Sequence, residues 1–311
     1  MDYKHFKASA LNSIREYFGE GVQVSLNSIV KNNNIQLDGL MIEDGSVNIT
    51  PTIYLNYYYE DYLAGRPLSL VLDDIISSYR NNLPEESIDL SFFTDYQKVK
   101  YHIIYKLINY TQNTELLQDL PHFRFLDLAV VFCCFLPDIS SRNATILIHN
   151  HHLDFWDITA DTLYELAVKN TPILLPYDLK SMEDVFKSVC PDNFDPNLLL
   201  DLPQIDDTSE NMTEYPDIPM LYVLSNTEKY YGASAILYPE VLSFFADLRE
   251  SDLYILPSSI HEVLLLPKDS RTHAEDLNCI IQEVNASQVL KEEVLSDHFY
   301  YFDRSLGIIT Q

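Results

Sequence analysis

Two short stretches of this chain gather residues whose types could do chemistry. In ATILIHNHHLDFW, His149, His151, His152 and Asp154 offer three imidazoles and a carboxylate within six residues. These are the donors that zinc and related divalent ions favour. Read as the end of a strand, the segment places His149 and His151 on one face as a two-ligand clip, which needs at least one distant ligand to become a catalytic site. The competing reading is that the histidines cap or stack beside Trp156 and bind nothing. No HExxH helix is present, and no cysteine stands at zinc-ligand spacing.

The second stretch is YILPSSIHEVLLLP, where Ser258, Ser259, His261 and Glu262 place hydroxyls, an imidazole and a carboxylate close in sequence. A serine nucleophile needs a base within hydrogen-bond reach and a further group that orients the base. The strained GxSxG elbow is absent, and a hairpin turn uses the same polar residues to satisfy its own backbone. A third cluster, ITPTIYLNYYYEDYLAG, carries Tyr54, Tyr57, Tyr58, Tyr59 and Tyr62 beside Glu60 and Asp61. Tyrosine supplies rigid contact area with a polar tip, which suits a partner-binding surface and suits internal packing equally.

Periodicity indicates the elements that must position these residues. Phe6, Ala10, Ile14, Tyr17 and Phe18 recur at helical spacing up to Gly19, so a helix opens the chain. VQVSLNSIV and IQLDGLMI flank Lys31 to Asn34 as a hairpin. Leu68, Val71, Leu72, Ile75, Ile76 and Tyr79 form one apolar helical face. KVKYHIIYKL alternates apolar and polar residues and predicts a strand with one wet face. FLDLAVVFCCFL and ATILIHN read as further strands, and Thr159 caps a helix ending near Asn170, before Pro172.

After residue 217 the chain predicts strands MLYVLSN and ASAILY, a helix opened by Pro239, and strands DLYIL and EVLLL. A helix with a Thr272 and Glu275 capping box and a final HFYYFD strand follow. This order is an α+β fold of two lobes, each a mainly antiparallel sheet with packed helices. The N-terminal lobe spans 1–190 and the C-terminal lobe 218–311. Between them, 191–217 is an acidic, Pro-rich connection without Lys or Arg.

Composition narrows the function classes. A net charge of -27, from 47 acidic and 20 basic residues, repels phosphate backbones and argues against direct nucleic-acid binding. Neither a secretion signal nor an apolar run long enough to span a membrane is present. The seven glycines form no phosphate-cradling loop. The adjacent Cys133 and Cys134 lie in an apolar run and read as buried free thiols, which fits a reducing cytoplasm.

Several phrases together carry a resemblance: KNNNIQLDGL, ITPTIYLNYYYEDYLAG, KLINY, LDLAVVF, ATILIHNHHLDFW and LYELAVKNTP. LYVLSN, YGASAILYPEVL, DLYILPSSIHEVLLLP, VNASQV and EEVLSD follow in order. Over nearly the whole chain this resembles a bacterial family catalogued as domain of unknown function 5688, found mainly in clostridial gut bacteria. The C-terminal lobe also resembles a second uncharacterised Gram-positive family. Neither resemblance implies an activity, a cofactor or a catalytic residue. The expectation is therefore a cytoplasmic, non-catalytic protein that binds a protein or small ligand and has no cofactor. The alternatives are a hydrolase, either built on a divalent metal at the histidine cluster or of serine type, and an acidic nucleic-acid mimic.

Overall fold

The computed structural model describes residues 1–84, 87, 91–139, 142–189, 221–257, 259–268 and 274–311. It is an α+β protein whose sheets have three, four and six strands. The chain forms two compact units: Met1–Val99 with Phe135–Ile146, and Lys100–Cys134 with Leu147–Gln311. This differs from a division into 1–190 and 218–311. The connection 191–217 lies outside the described residues, and the strands on either side of it pair with each other within the second unit.

In the first unit, α1 (Tyr3–Phe18) is capped by Asp2, whose carboxylate accepts from the His5 N–H, and it ends at Gly19 with φ of 77°. Phe6, Ala10 and Ile14 recur every four residues and are fully buried. β1 (Gln23–Val30) and β2 (Gln36–Glu43) pair over their whole length, from Gln23 opposite Glu43 to Val30 opposite Gln36. Asn33 and Asn34, both left-handed, make the turn, a conformation asparagine tolerates better than most residues. β3 (Thr52–Tyr54) adds to β2, and α2 (Leu55–Leu63) follows at once. α3 (Leu68–Asn82) buries Val71, Ile75, Ile76 and Tyr79 against α1 and the sheet. Two short helices, α4 (Ser91–Thr94) and α5 (Tyr96–Val99), lead to the second unit.

The four-stranded sheet has order β4 (Ile103–Asn109), β6 (Leu128–Ile139), β5 (His122–Phe125), with β7 (Arg142–Leu147) also on β6. The wet face expected for β4 is absent: every residue except the half-buried Lys106 is buried, and residues 98–102 are not strand. α7 (Ala160–Leu174) covers the free edge of β4. Thr171 Oγ1 accepts from the Tyr105 N–H at 3.1 Å, and Asn170 donates to the Lys100 and Ile103 carbonyls. These bonds occupy edge groups of β4 that could otherwise pair with another strand. The helix consequently runs through Pro172 to Leu174 instead of stopping at Asn170. Its start is as expected, with Thr159 accepting from the Thr162 N–H. On β6, Cys133 and Cys134 are buried free thiols. Burial pushes both thiols up, that of Cys134 to about 12.

The six-stranded sheet has order β13 (Ile308–Thr310), β12 (Tyr300–Asp303), β10 (Leu253–Leu256), β11 (Val263–Pro267), β9 (Tyr222–Asn226), β8 (Tyr177–Ser181), and its pairings are antiparallel. α8 (Met182–Val189) follows β8. α10 (Ala274–Ser287) buries Leu277 and Ile281 against Tyr254, Leu256 and Leu266, while α9 (Val241–Arg249) packs Phe245 on Tyr222. Thr272 and the Glu275 side chain, the expected capping box of α10, lie outside the described residues. ASAILY is not a strand but part of a 3-10 turn, Gly232–Leu237, entered from a left-handed Tyr231. A Cβ on Gly232 would stand 2.2 Å from Ser225 Oγ and 2.5 Å from the His261 carbonyl, so only glycine allows the turn to lie this close to β9.

Asp127, in the turn before β6, accepts from two fully buried hydroxyls, Ser296 Oγ at 2.5 Å and Tyr300 OH at 2.7 Å. Replacing Asp127 with alanine strands both donors and should destabilise the protein by about 2–4 kcal/mol, whereas Tyr300→Phe removes one donor cleanly and should cost about 1 kcal/mol. Urea unfolding followed by circular dichroism checks both; equal losses for the two variants would show that the carboxylate does not hold the pair.

Candidate functional site

The histidine cluster is built where β7 gives way to a short helix. Pairing with β6 continues one residue past β7, the Ile148 N–H donating to the Phe132 carbonyl at 3.0 Å, and then ends. His149 is extended and caps α6 (Asn150–Trp156). His149 and His151 are thus not alternate residues of a strand, as the sequence suggested, but the cap and second residue of a helix. Their rings still approach, with centroids 5.6 Å apart.

What the sequence did not reveal is the distant partner. Asp119, thirty residues upstream, follows a 3-10 turn, Leu116–Gln118, and places its Oδ2 2.7 Å from His149 Nδ1. Two further bonds staple this turn to α6: the Asn150 N–H donates to the Asp119 carbonyl, and Asn150 Nδ2 to that of Gln118. Among the described residues, one ligand atom from each of Asp119, His149 and His151 lies within 4.8 Å of the others. Donors held tetrahedrally on one ion at about 2.1 Å are about 3.4 Å apart, so the group needs to close by up to about 1.4 Å. A proton shared between His149 Nδ1 and Asp119 Oδ2 now holds this pair at 2.7 Å, and an ion ligated by both atoms takes that proton's place.

His152 and Asp154 are not among these three, although the His152 ring lies 3.9 Å from that of His151. His152 Nδ1 accepts from the His149 backbone N–H at 2.9 Å, and its ring stacks on the buried Trp156 at 5.6 Å. Desolvation against this wall, then the neighbouring His151 and His149, push its pKa down to about 4. Asp154 is exposed on α6.

The serine and histidine turn has another organisation. Ser258 lies outside the described residues. Ser259 Oγ accepts from the His261 backbone N–H at 3.0 Å, and its own N–H donates to the Glu262 carbonyl. The His261 imidazole receives the Tyr231 N–H on Nδ1 at 3.3 Å and faces Glu293 with Nε2 at 3.5 Å. Hydroxyl and imidazole therefore serve the turn and the neighbouring loop. The five tyrosines are all half-buried. Tyr58, Tyr59 and Tyr62 pack on the first unit's core, Tyr59 contacting Tyr3 and Phe6, and Tyr54 lies under Lys31 Nζ at 4.4 Å.

The profile of a family described as "Family of unknown function (DUF5688)" matches residues 3–304. No curated protein and no solved structure matches the chain.

The burial of His152 has a pH consequence. Unfolded, this imidazole titrates near 6.5; folded, near 4. Above pH 6.5 it is neutral in both states and its stacking contributes fully. As pH falls from 6.5 towards 4, the unfolded chain takes up a proton that the folded chain does not, so stability declines. Thermal melts across that window should show this decline, and it should flatten in His152→Gln, which retains an acceptor for the His149 N–H. An unchanged slope in the variant would remove His152 as its source.

Proposed function

The chain belongs to the DUF5688 family, and from its own geometry we propose that it is a non-catalytic protein that reversibly binds a divalent transition-metal ion through Asp119, His149 and His151. The observation that carries this reading is the convergence of two imidazoles and a carboxylate, from segments thirty residues apart, on one spot. The donor set suits zinc, nickel or cobalt better than magnesium or calcium, which prefer all-oxygen shells. Exposure supports binding over catalysis: the Asp119 side chain is 63% exposed and His151 is at the surface, so water shares the site.

A second reading, a metal-dependent hydrolase, draws on the number of ligands. Three protein donors leave a coordination position for water, as in catalytic zinc sites. The wider setting we propose is a bacterial cytoplasm, consistent with the free thiols Cys133, Cys134 and Cys279. The net charge of -27 weighs against nucleic acid as a partner. Among the described residues, no helix is long and apolar enough to cross a membrane.

The single tryptophan, Trp156, stacks on His152 beside the ligands and supplies a readout. Titration with zinc chloride should change its fluorescence saturably with one-to-one stoichiometry by calorimetry. Asp119→Ala, His149→Ala and His151→Ala should each weaken binding at least about tenfold, and the double histidine variant should abolish it. Equal zinc affinity in the double variant would overturn the assignment. Zinc-dependent hydrolysis of an activated ester, lost in the same variants, would favour the second reading.

A further inference from the structure

We propose that the outer face of α9, with the groove beside its C-terminal end, is a docking site for a cationic amphipathic segment of a partner protein. The apolar face of α9 is wider than the part it buries. Val241, Leu242, Phe245 and Ala246 are buried, whereas Phe244 and Leu248, one turn apart on the flank of that face, are each 62% exposed. A helix whose apolar face extends into water gains by burying the exposed part against another surface.

Next to this exposed part lies an open cavity of about 660 Å³, lined by Asp247 and Glu250 at the end of α9 and by Asp252, Lys268, Arg304 and Ser305. Leu306, in the turn between β12 and β13 and adjacent to Ser305, is 67% exposed. The turn is fixed to the helix by Arg304 Nε, which donates to Asp247 at 2.7 Å. Exposed apolar residues thus adjoin groove residues in the chain on both sides, Leu248 next to Asp247 on the helix and Leu306 next to Ser305 on the hairpin.

Charge selects the occupant. The two cations of the groove are already engaged: Arg304 by Asp247, and Lys268 by the Tyr301 hydroxyl at 2.9 Å with Asp252 at 3.7 Å. Glu240 and Glu250, one at each end of α9, have no ion-pair partner among the described residues. Both sit in left-handed backbone, with φ of 66° and 52°. Glycine or asparagine would occupy such positions at lower cost. The face thus offers exposed leucine and phenylalanine between uncompensated carboxylates. A second copy, also at -27, is repelled, whereas a helix with lysines or arginines beside its apolar stripe complements both features.

The test uses the full chain and a fluorescent synthetic helix of about 18 residues, built from leucine and lysine, in anisotropy titrations at about 0.05 and 0.3 M salt. The expected result is saturable binding that weakens about tenfold in F244S/L248S, which leaves every charge in place. In E240Q/E250Q, binding should weaken severalfold and lose part of its salt dependence. A leucine and glutamate peptide should not bind. Undiminished binding to F244S/L248S would overturn the proposal, because it would reduce the effect to general attraction by an acidic surface. A wild-type dimer in sedimentation that F244S/L248S dissociates would overturn it in favour of a second copy.

Discussion

Buried polar groups must find partners, and in the second unit one carboxylate meets that demand for two elements at once. Asp127 accepts from Ser296 and Tyr300, while its own carbonyl accepts from the Tyr110 N–H. Asn109, at the end of β4, donates to the Leu295 carbonyl. The segment entering β12 is thereby fixed to the β4, β5 and β6 sheet, and the six-stranded sheet is held in register with it through β12. Desolvation and the adjacent Asp127 charge push the Tyr300 phenol well up, so it remains a neutral donor across the physiological range. An ionised phenol there would face the carboxylate without a proton to share.

The same demand recurs because glycine is scarce. Seven glycines in 311 residues leave most tight turns to other residues. Asparagine does much of this work: Asn33 and Asn34 turn the first hairpin, and Asn226, wholly buried, accepts from the Glu228 and Tyr230 N–H groups while donating to the Tyr230 carbonyl. Asn170 and Thr171 close the edge of β4, and Asn150 staples α6 to the Asp119 turn. Side-chain amides and hydroxyls here substitute for backbone freedom, at the expense of specifying each turn individually.

This explains which parts were legible in the sequence. α1, α3 and the β1 and β2 hairpin could be read because their apolar periods are local and one face of each meets the core. β4 misled because Lys98, Lys100 and His102, which suggested a wet face, precede the strand in a helix and turn, and of the four polar residues only Lys106 lies in β4. ASAILY misled for another reason: Gly232 to Ile236 are all buried, so no alternation distinguishes strand from 3-10 turn, and the deciding fact is the close approach of Gly232 to Ser225. At the candidate site, the histidines were conspicuous in sequence but their geometry was not, since strand and helix cap place His149 and His151 differently. Asp119 carried no local mark, because its role is set by hydrogen bonds between two turns.

The histidine site also contains a division of labour. His149 and His151 converge with Asp119, whereas His152, whose ring lies 3.9 Å from that of His151, commits its Nδ1 to the His149 N–H and stacks on Trp156. Burial keeps His152 uncharged at neutral pH, so it adds no positive charge beside the other two rings. That matters for a cation, because a nearby imidazolium would oppose it: two unit charges about 4 Å apart repel by about 1 kcal/mol in bulk water and roughly 4 kcal/mol at an effective dielectric constant of about 20, and a divalent ion doubles the effect. The helix cap thus does more than end a strand: it separates one structural, neutral imidazole from two that remain available at the surface.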